Sequence, residues 1–244
     1  MRKLFMFLAS FMAMLPMYAS PQDDDFDMMP DVANLKNNAF FIGPKVGGLM
    51  STMTQPSESK LYDGADFGFS GGLAMKLRFG KAFEESNAGT GFFGVGAEVK
   101  YMLNSVKTIG TDESGKENAK MSLGSVEVPV FVQVYPFAKV RSMNSFYVEL
   151  GASFGAIMSR SPKSLTVMNP NEEYSQVIYN LDSNGSKLKG GMISPMAGIG
   201  YTIPNTGLDI NARYYIGVNE LAGNFPCKIS SLEISIAWLF KLPF

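Results

Sequence analysis

The chain has 244 residues, enough for one domain or at most two. Its 21 lysines and arginines balance 22 aspartates and glutamates, which argues against a general nucleic-acid binder. Histidine is absent, removing His-based acid–base chemistry, Ser-His or Cys-His nucleophile activation and most zinc sites, and the single cysteine, Cys227, excludes an internal disulfide.

Residues 1–20 read MRKLFMFLASFMAMLPMYAS. Arg2 and Lys3 precede a short apolar run, Leu4 to Leu15, and small residues follow at Ala19 and Ser20, the pattern of a signal peptide. The run is too short to favour a spanning helix, and no other stretch of the chain is apolar enough for one. Residues 21–38 carry Asp23, Asp24, Asp25, Asp27 and Asp31 and read as a flexible, acidic periplasmic leader. Residues 39–244 form the remaining domain.

From Phe40 onward the hydrophobic pattern has period two, segment after segment. The first segment places Phe40, Ile42, Val46 and Met50 opposite Lys45 and glycines. The second alternates Phe67, Phe69, Leu73, Met75, Leu77 and Phe79 with Gly68, Ser70, Gly72, Ala74, Lys76 and Arg78. The third sets Phe93, Val95, Ala97, Val99, Tyr101 and Leu103 against Gly94, Gly96, Glu98 and Lys100. The fourth sets Val126, Val128, Val130, Val132 and Val134 against Glu127 and Gln133. In the fifth, Phe146, Val148, Leu150, Ala152, Phe154 and Ala156 oppose Glu149, Gly151, Ser153 and Gly155. The sixth, Ile193 to Tyr201, is weaker. The seventh alternates Leu208, Ile210, Ala212, Tyr214 and Ile216 with Asp209, Asn211 and Arg213. The eighth, Leu232 to Phe244, is apolar on its even positions, including Trp238, Phe240 and Phe244, and carries Glu233, Ser235, Ala237 and Lys241 on the other face.

Eight is an even count, as single-chain outer-membrane barrels require. The expected fold is therefore all-β: an eight-stranded antiparallel up-and-down transmembrane β-barrel with long extracellular loops and short periplasmic turns. With the N-terminus periplasmic, the outward connections are about Ser51 to Ala65, Asn104 to Lys120, Ser161 to Gly191 and Asn219 to Lys228. The inward ones, such as Pro136 to Asn144 and Ile203 to Gly207, are shorter. The longest connection suggests a hairpin of Tyr174 to Leu181 and Ser186 to Met192 about the turn Asp182 to Gly185. Phe40, Phe79, Phe92, Phe93, Tyr135, Phe137, Phe146, Tyr201 and Phe240 cluster at strand ends and read as an aromatic girdle.

The polar faces collect five cations, Lys45, Lys76, Arg78, Lys100 and Arg213, and five anions, Glu98, Glu127, Glu149, Asp209 and Glu233. An eight-stranded barrel is wide enough only for its own side chains, and unpaired buried charges are costly, so these groups are expected to pair and fill the lumen. Pro44, Pro129 and Pro195 fall inside expected strands, where bulges or local breaks are anticipated. Cys227 reads as a tolerated surface or half-buried thiol in a loop. Walker, HExxH, CxxC and GxSxG motifs are absent, and no catalytic, cofactor-binding or metal-ligating residue is assigned.

Five stretches carry a family resemblance: Ile42-Gly-Pro-Lys-Val-Gly-Gly48, Ser122-Leu-Gly-Ser-Val-Glu-Val-Pro-Val130, Phe146-Tyr-Val-Glu-Leu-Gly151, Gly198-Ile-Gly-Tyr201 and Leu208-Asp-Ile-Asn-Ala-Arg-Tyr-Tyr-Ile-Gly217. Together with the last strand they resemble the PorT-like family of small outer-membrane β-barrels found in Bacteroidetes. The resemblance spans about Phe40 to Phe244 and implies an outer-membrane barrel without known enzymatic activity. The family's founding member is associated with type IX secretion; Asn38 to Gly48 departs from that pattern, so the role is not carried over. C-terminal strands of this kind also imply recognition of Trp238, Phe240 and Phe244 by the barrel-assembly machinery.

The leading expectation is a non-enzymatic outer-membrane protein, surrounded by lipid and meeting envelope partners through its loops or tail. A secretion or assembly accessory, a narrow channel, a membrane enzyme and a soluble lipocalin-like barrel are the alternatives. The last would need its apolar faces turned inward.

Overall fold

The computed structural model describes residues 39–54, 62–79, 91–109, 111–112, 114–115, 117–138, 143–168, 176–180, 191–203, 206–218 and 227–242. The expected signal peptide, the leader and Phe244 lie outside them.

Twelve strands follow in chain order: β1 (Ala39–Thr54), β2 (Tyr62–Arg78), β3 (Phe93–Thr108), β4 (Thr111–Asp112), β5 (Lys120–Val134), β6 (Phe146–Ser161), β7 (Ser164–Met168), β8 (Gln176–Asn180), β9 (Met192–Thr202), β10 (Leu208–Tyr215), β11 (Lys228–Trp238) and β12 (Phe240–Leu242). Among the described residues there is no helix long and apolar enough to cross a membrane. Eight strands, in the order β11-β10-β9-β6-β5-β3-β2-β1, form one antiparallel sheet, and β1 pairs with β11 to close it. β12 continues β11 along β1. This is a closed eight-stranded barrel in which strands neighbouring in sequence neighbour in space.

The sequence period sets the two faces of this sheet. Along β2, Phe67, Phe69 and Leu73 are exposed while Ser70, Ala74, Lys76 and Arg78 are buried. Along β10, Ile210 and Tyr214 are exposed while Asp209, Asn211, Arg213 and Tyr215 are buried. Val46, Leu150, Ile199, Ile234 and Trp238 extend the same exposed apolar surface around the barrel. A slip of one residue in any strand would exchange these faces, so the pattern fixes the register.

The register also fixes the stagger. From Lys45, ladder partners run through Gly72, Lys100, Glu127 and Gly155 to Met192 on β9. In the other direction they run through Ala237 and Asp209 to Thr202, ten residues further along the same strand. Closure with that offset requires strands tilted by roughly 35–45° to the barrel axis. Tilt brings side chains from distant ladder positions to one level of the lumen.

Two prolines interrupt a ladder without shifting its register, and the third stands just past a ladder's end. Opposite Gly43 and Pro44 the pairing of β1 skips from Phe240 to Ala237, which divides the expected last strand at Leu239. Beside Pro129 the β3–β5 ladder skips from Ala97↔Val130 to Lys100↔Glu127. At Pro195 the β9–β10 ladder has just ended at Met196↔Tyr215. Proline has no N–H to donate, so each gap falls where a ladder bond would be lost. The register shifts lie elsewhere: β6 carries an extra residue, Met158, opposite Gly124 and Ser125, and β2 carries extra residues between Tyr62 and Gly64 and between Ala65 and Phe69.

Two features of the connections depart from expectation. The chain ends Ala39 and Leu242 lie at one end of the barrel, here the terminal end, together with the connections 79–92, 135–145 and 203–207. β1 and β2 run further than expected toward the opposite, far end, so 55–61 is shorter than 79–92, and the alternation of long and short fails at that pair. The long connection holds a hairpin of β7 and β8, while most of the expected downstream return, Ser186 to Met192, lies outside the described residues. β4 adds to β7, making a three-stranded sheet at the far end. Its proposed turn, Asp182 to Gly185, lies outside the described residues.

Candidate functional site in the barrel interior

Inward side chains converge on one charged cluster. Arg213 on β10 and Glu98 on β3 lie on opposite sides of the barrel in chain order, yet Arg213 Nη1 is 2.7 Å from Glu98 Oε2. The same guanidinium donates through Nε and Nη2 to both oxygens of Glu149 on β6. Its plane lies over the ring of Phe131, 4.5 Å from the centroid. Lys45 Nζ is 2.9 Å from Glu98 Oε1. Lys100 Nζ is 3.9 Å from Glu98 Oε2 and 2.6 Å from Glu233 Oε2, and it also donates to the Tyr215 hydroxyl at 2.7 Å. Ser70 donates to the other oxygen of Glu233.

Toward the terminal end the chain of contacts continues. Asn211 Nδ2 donates to Glu149 at 2.7 Å and to the Tyr147 hydroxyl at 3.3 Å. Tyr147 and Lys76 both donate to Asp209 Oδ2, at 2.9 and 2.8 Å, and Thr202 donates to Oδ1 at 2.6 Å. Four cations, Lys45, Lys76, Lys100 and Arg213, therefore meet four anions, Glu98, Glu149, Asp209 and Glu233, in one connected system with no net charge. All eight are buried. Burying a single ion costs several kcal/mol, roughly, after relaxation, so the arrangement depends on each group keeping its partners.

The other two charges of the sequence reading lie apart from this system. Arg78 sits at the terminal end, where Nε donates to Gly91 O and Nη2 to Asn144 O, and its guanidinium covers Tyr135 at 3.7 Å. Tyr135 is consequently buried and bonded to Gln133, not part of an outward girdle. The rest of that ring fits better: Phe92, Phe93, Phe137 and Phe240 are exposed, and Phe79 stacks on Phe93 at 5.8 Å. Glu127, toward the far end, accepts from Ser125 at 2.9 Å and Ser153 at 2.5 Å and has no cationic partner among the described residues.

Tyr147, Tyr215 and Phe131 escaped the sequence reading, although Tyr147 shares its parity with Glu149, Tyr215 with Arg213 and Phe131 with Glu127. Regarding strand aromatics as lipid-facing concealed them. With Leu49, Met102 and Met196, Phe131 and Tyr215 form a buried apolar cluster inside the barrel. On the last strand Trp238 and Phe240 project outward and are exposed. Cys227, expected near the surface, is buried, and burial pushes its thiol up to about 12, which keeps it protonated and unreactive. Among the described residues no group of three or more acidic, cysteine or histidine side chains is placed to hold a metal ion.

A closed sheet, apolar outside and charged inside, inverts the arrangement of a soluble protein and defines a transmembrane β-barrel of the outer-membrane type. The chain belongs to the outer membrane protein beta-barrel domain family, whose description matches residues 26–223, and it is an outer-membrane protein. Among solved structures it is similar to the outer membrane protein OprG from Pseudomonas aeruginosa, at 13% identity and a TM-score of 0.41 over 86% of this chain and 99% of that one. Neisserial surface protein A is similar at 13% identity and a TM-score of 0.40, over 84% and 97%. Ail, the attachment invasion locus protein of Yersinia pestis, is similar at 13% identity and a TM-score of 0.37, over 82% and 99%. Comparison with curated proteins finds no match.

Proposed function

We propose that this protein is a non-enzymatic envelope barrel whose lumen is filled by its own side chains and which acts through the connections at its far end. The observation that carries this reading is the balanced four-and-four charge system, which ties β1, β2, β3, β6, β10 and β11 together across the lumen. Such a system favours a rigid support over a conduit, and it leaves the ends of the barrel to do the binding. In this reading residues 1–20 direct export, the terminal end is periplasmic, and Trp238 and Phe240 engage the assembly machinery during insertion. The PorT-like resemblance is the finer family assignment proposed here.

A second reading, an accessory of a secretion or assembly system, is favoured by the small sheet β4-β7-β8. It stands beyond the barrel, leaves β8 as an edge among the described residues and exposes Ile178. Edge strands of this kind pair readily with a partner's strand.

Fractionation of cells producing the full chain tests the first reading. The protein should enter the outer-membrane fraction and migrate differently on a gel before and after heating. Protease added to intact cells should cleave within 162–191 and spare 79–92, 135–145 and 203–207. A periplasmic, soluble product, or cleavage confined to the terminal-end connections, would overturn it.

A further inference from the structure

Glu127 is the one lumen carboxylate that the charged system does not neutralise. Its ladder partner is Lys100, but the Lys100 ammonium crosses to Glu233 and Tyr215 instead. Two serine hydroxyls satisfy its oxygens as acceptors without supplying charge. The group is nonetheless 3% exposed. A buried, uncompensated carboxylate is costly.

Beside it is a cavity of about 20 Å³, room for one occupant the size of water. The oxygen-bearing residues Glu127, Asn104, Ser194 and Ser231 line it, with Tyr215, whose hydroxyl is held by Lys100 and Glu233, and Met102, Leu123, Met192 and Ile229 close the remainder. The Ser194 hydroxyl has no partner among the described residues, and Asn104 Oδ1 already faces the hydroxyls of Ser51 and Ser231. The donors are all oxygen, and the site carries one negative charge. Oxygen ligands suit hard cations, and one carboxylate matches one positive charge. Divalent ions, which draw on several carboxylates, do not fit this composition.

We propose that Glu127 and the oxygens of Asn104, Ser194 and Ser231 form a site for a single monovalent metal cation in the far half of the lumen. The ion completes the charge balance that the eight-residue system achieves without Glu127, and it braces β3, β5, β9 and β11 against one another. The proposal goes beyond the envelope-barrel reading and does not depend on which partners the far end meets.

The test uses the full chain folded in zwitterionic detergent micelles at neutral pH. Sodium chloride is exchanged for N-methylglucamine chloride at constant ionic strength, and the midpoint for loss of the folded gel band is followed with temperature. The native chain should gain a saturable, sodium-dependent rise in midpoint. Glu127→Gln should fold with a midpoint independent of sodium. Ser194→Ala, which removes one neutral ligand, should raise the half-saturating sodium concentration by about fivefold. An unchanged native midpoint, or sodium dependence that survives Glu127→Gln, overturns the site. So does a midpoint that responds to acidification alone, since a proton would then be the occupant. Should Glu127→Gln not fold, sodium-23 relaxation of the native chain decides: no excess over empty micelles overturns the proposal, and an excess displaced by potassium supports it.

Discussion

Arg213 is the residue on which most of the interior converges. Its fork spans Glu98 and Glu149, and its flat face rests on Phe131, a geometry that the point charge of lysine does not reproduce. Replacing it with methionine keeps much of the volume but leaves buried Glu149 without its cation and takes from Glu98 one of its three. Arg213→Met should therefore destabilise the barrel by about 3–5 kcal/mol, and Arg213→Lys should recover only part of that loss. The check is the denaturant midpoint for loss of the heat-shifted gel band, with Arg160→Met at the far end as a comparison. A loss below about 1 kcal/mol for Arg213→Met would place it among ordinary surface substitutions and remove it from the centre of the system.

At the scale of the strand, the seam where β1 meets the last strand is interrupted. Proline at position 44 removes a ladder bond, and Gly43 lets the two backbones draw close: a Cβ there would lie 1.7 Å from the Trp238 carbonyl oxygen. Leu239 recovers a partner outside β1, donating to Gly207 O at 2.7 Å. Gly43→Ala should push β1 away from β11 and cost about 1–3 kcal/mol, with slower insertion into micelles. Gly48→Ala, five residues along, meets nothing within 4 Å and should leave the midpoint within about 0.5 kcal/mol of native. Equal effects in the two variants would show that strand propensity, not close approach, decides the outcome. The strands themselves were legible because period-two alternation is written residue by residue, as in Phe67 to Phe79. Their ends were not: β1 and β2 continue past the apolar band into Ser51–Thr54 and Tyr62–Ala65, where the pattern fades but backbone pairing persists. Which charges meet was equally hidden. That Arg213 finds Glu98 depends on the ten-residue stagger, a property of closure that no single segment carries.

For the molecule as a whole, the decisive quantity is what remains of the lumen once the side chains are in place. Eight strands leave an interior that side chains can fill. Here the bulky set Arg213, Tyr147, Phe131, Met102 and Gln133 is almost wholly buried, and it is held across the barrel by contacts from six strands. An ion that reaches Glu127 from the far end lies beside Met102, which packs with Leu49, Phe131 and Met196 in an apolar cluster that offers it no ligands. Beyond that cluster every charge is already engaged, so passage requires breaking several ion pairs at once. Reconstituted protein in a planar bilayer should therefore show no sustained single-channel steps under moderate applied voltage. Arg213→Met, which loosens the centre without removing Phe131 or Met102, should add noise or brief events rather than a stable open level. Long-lived, ohmic steps from the native chain would mean that the interior rearranges as a unit, and would convert the barrel from a support into a channel.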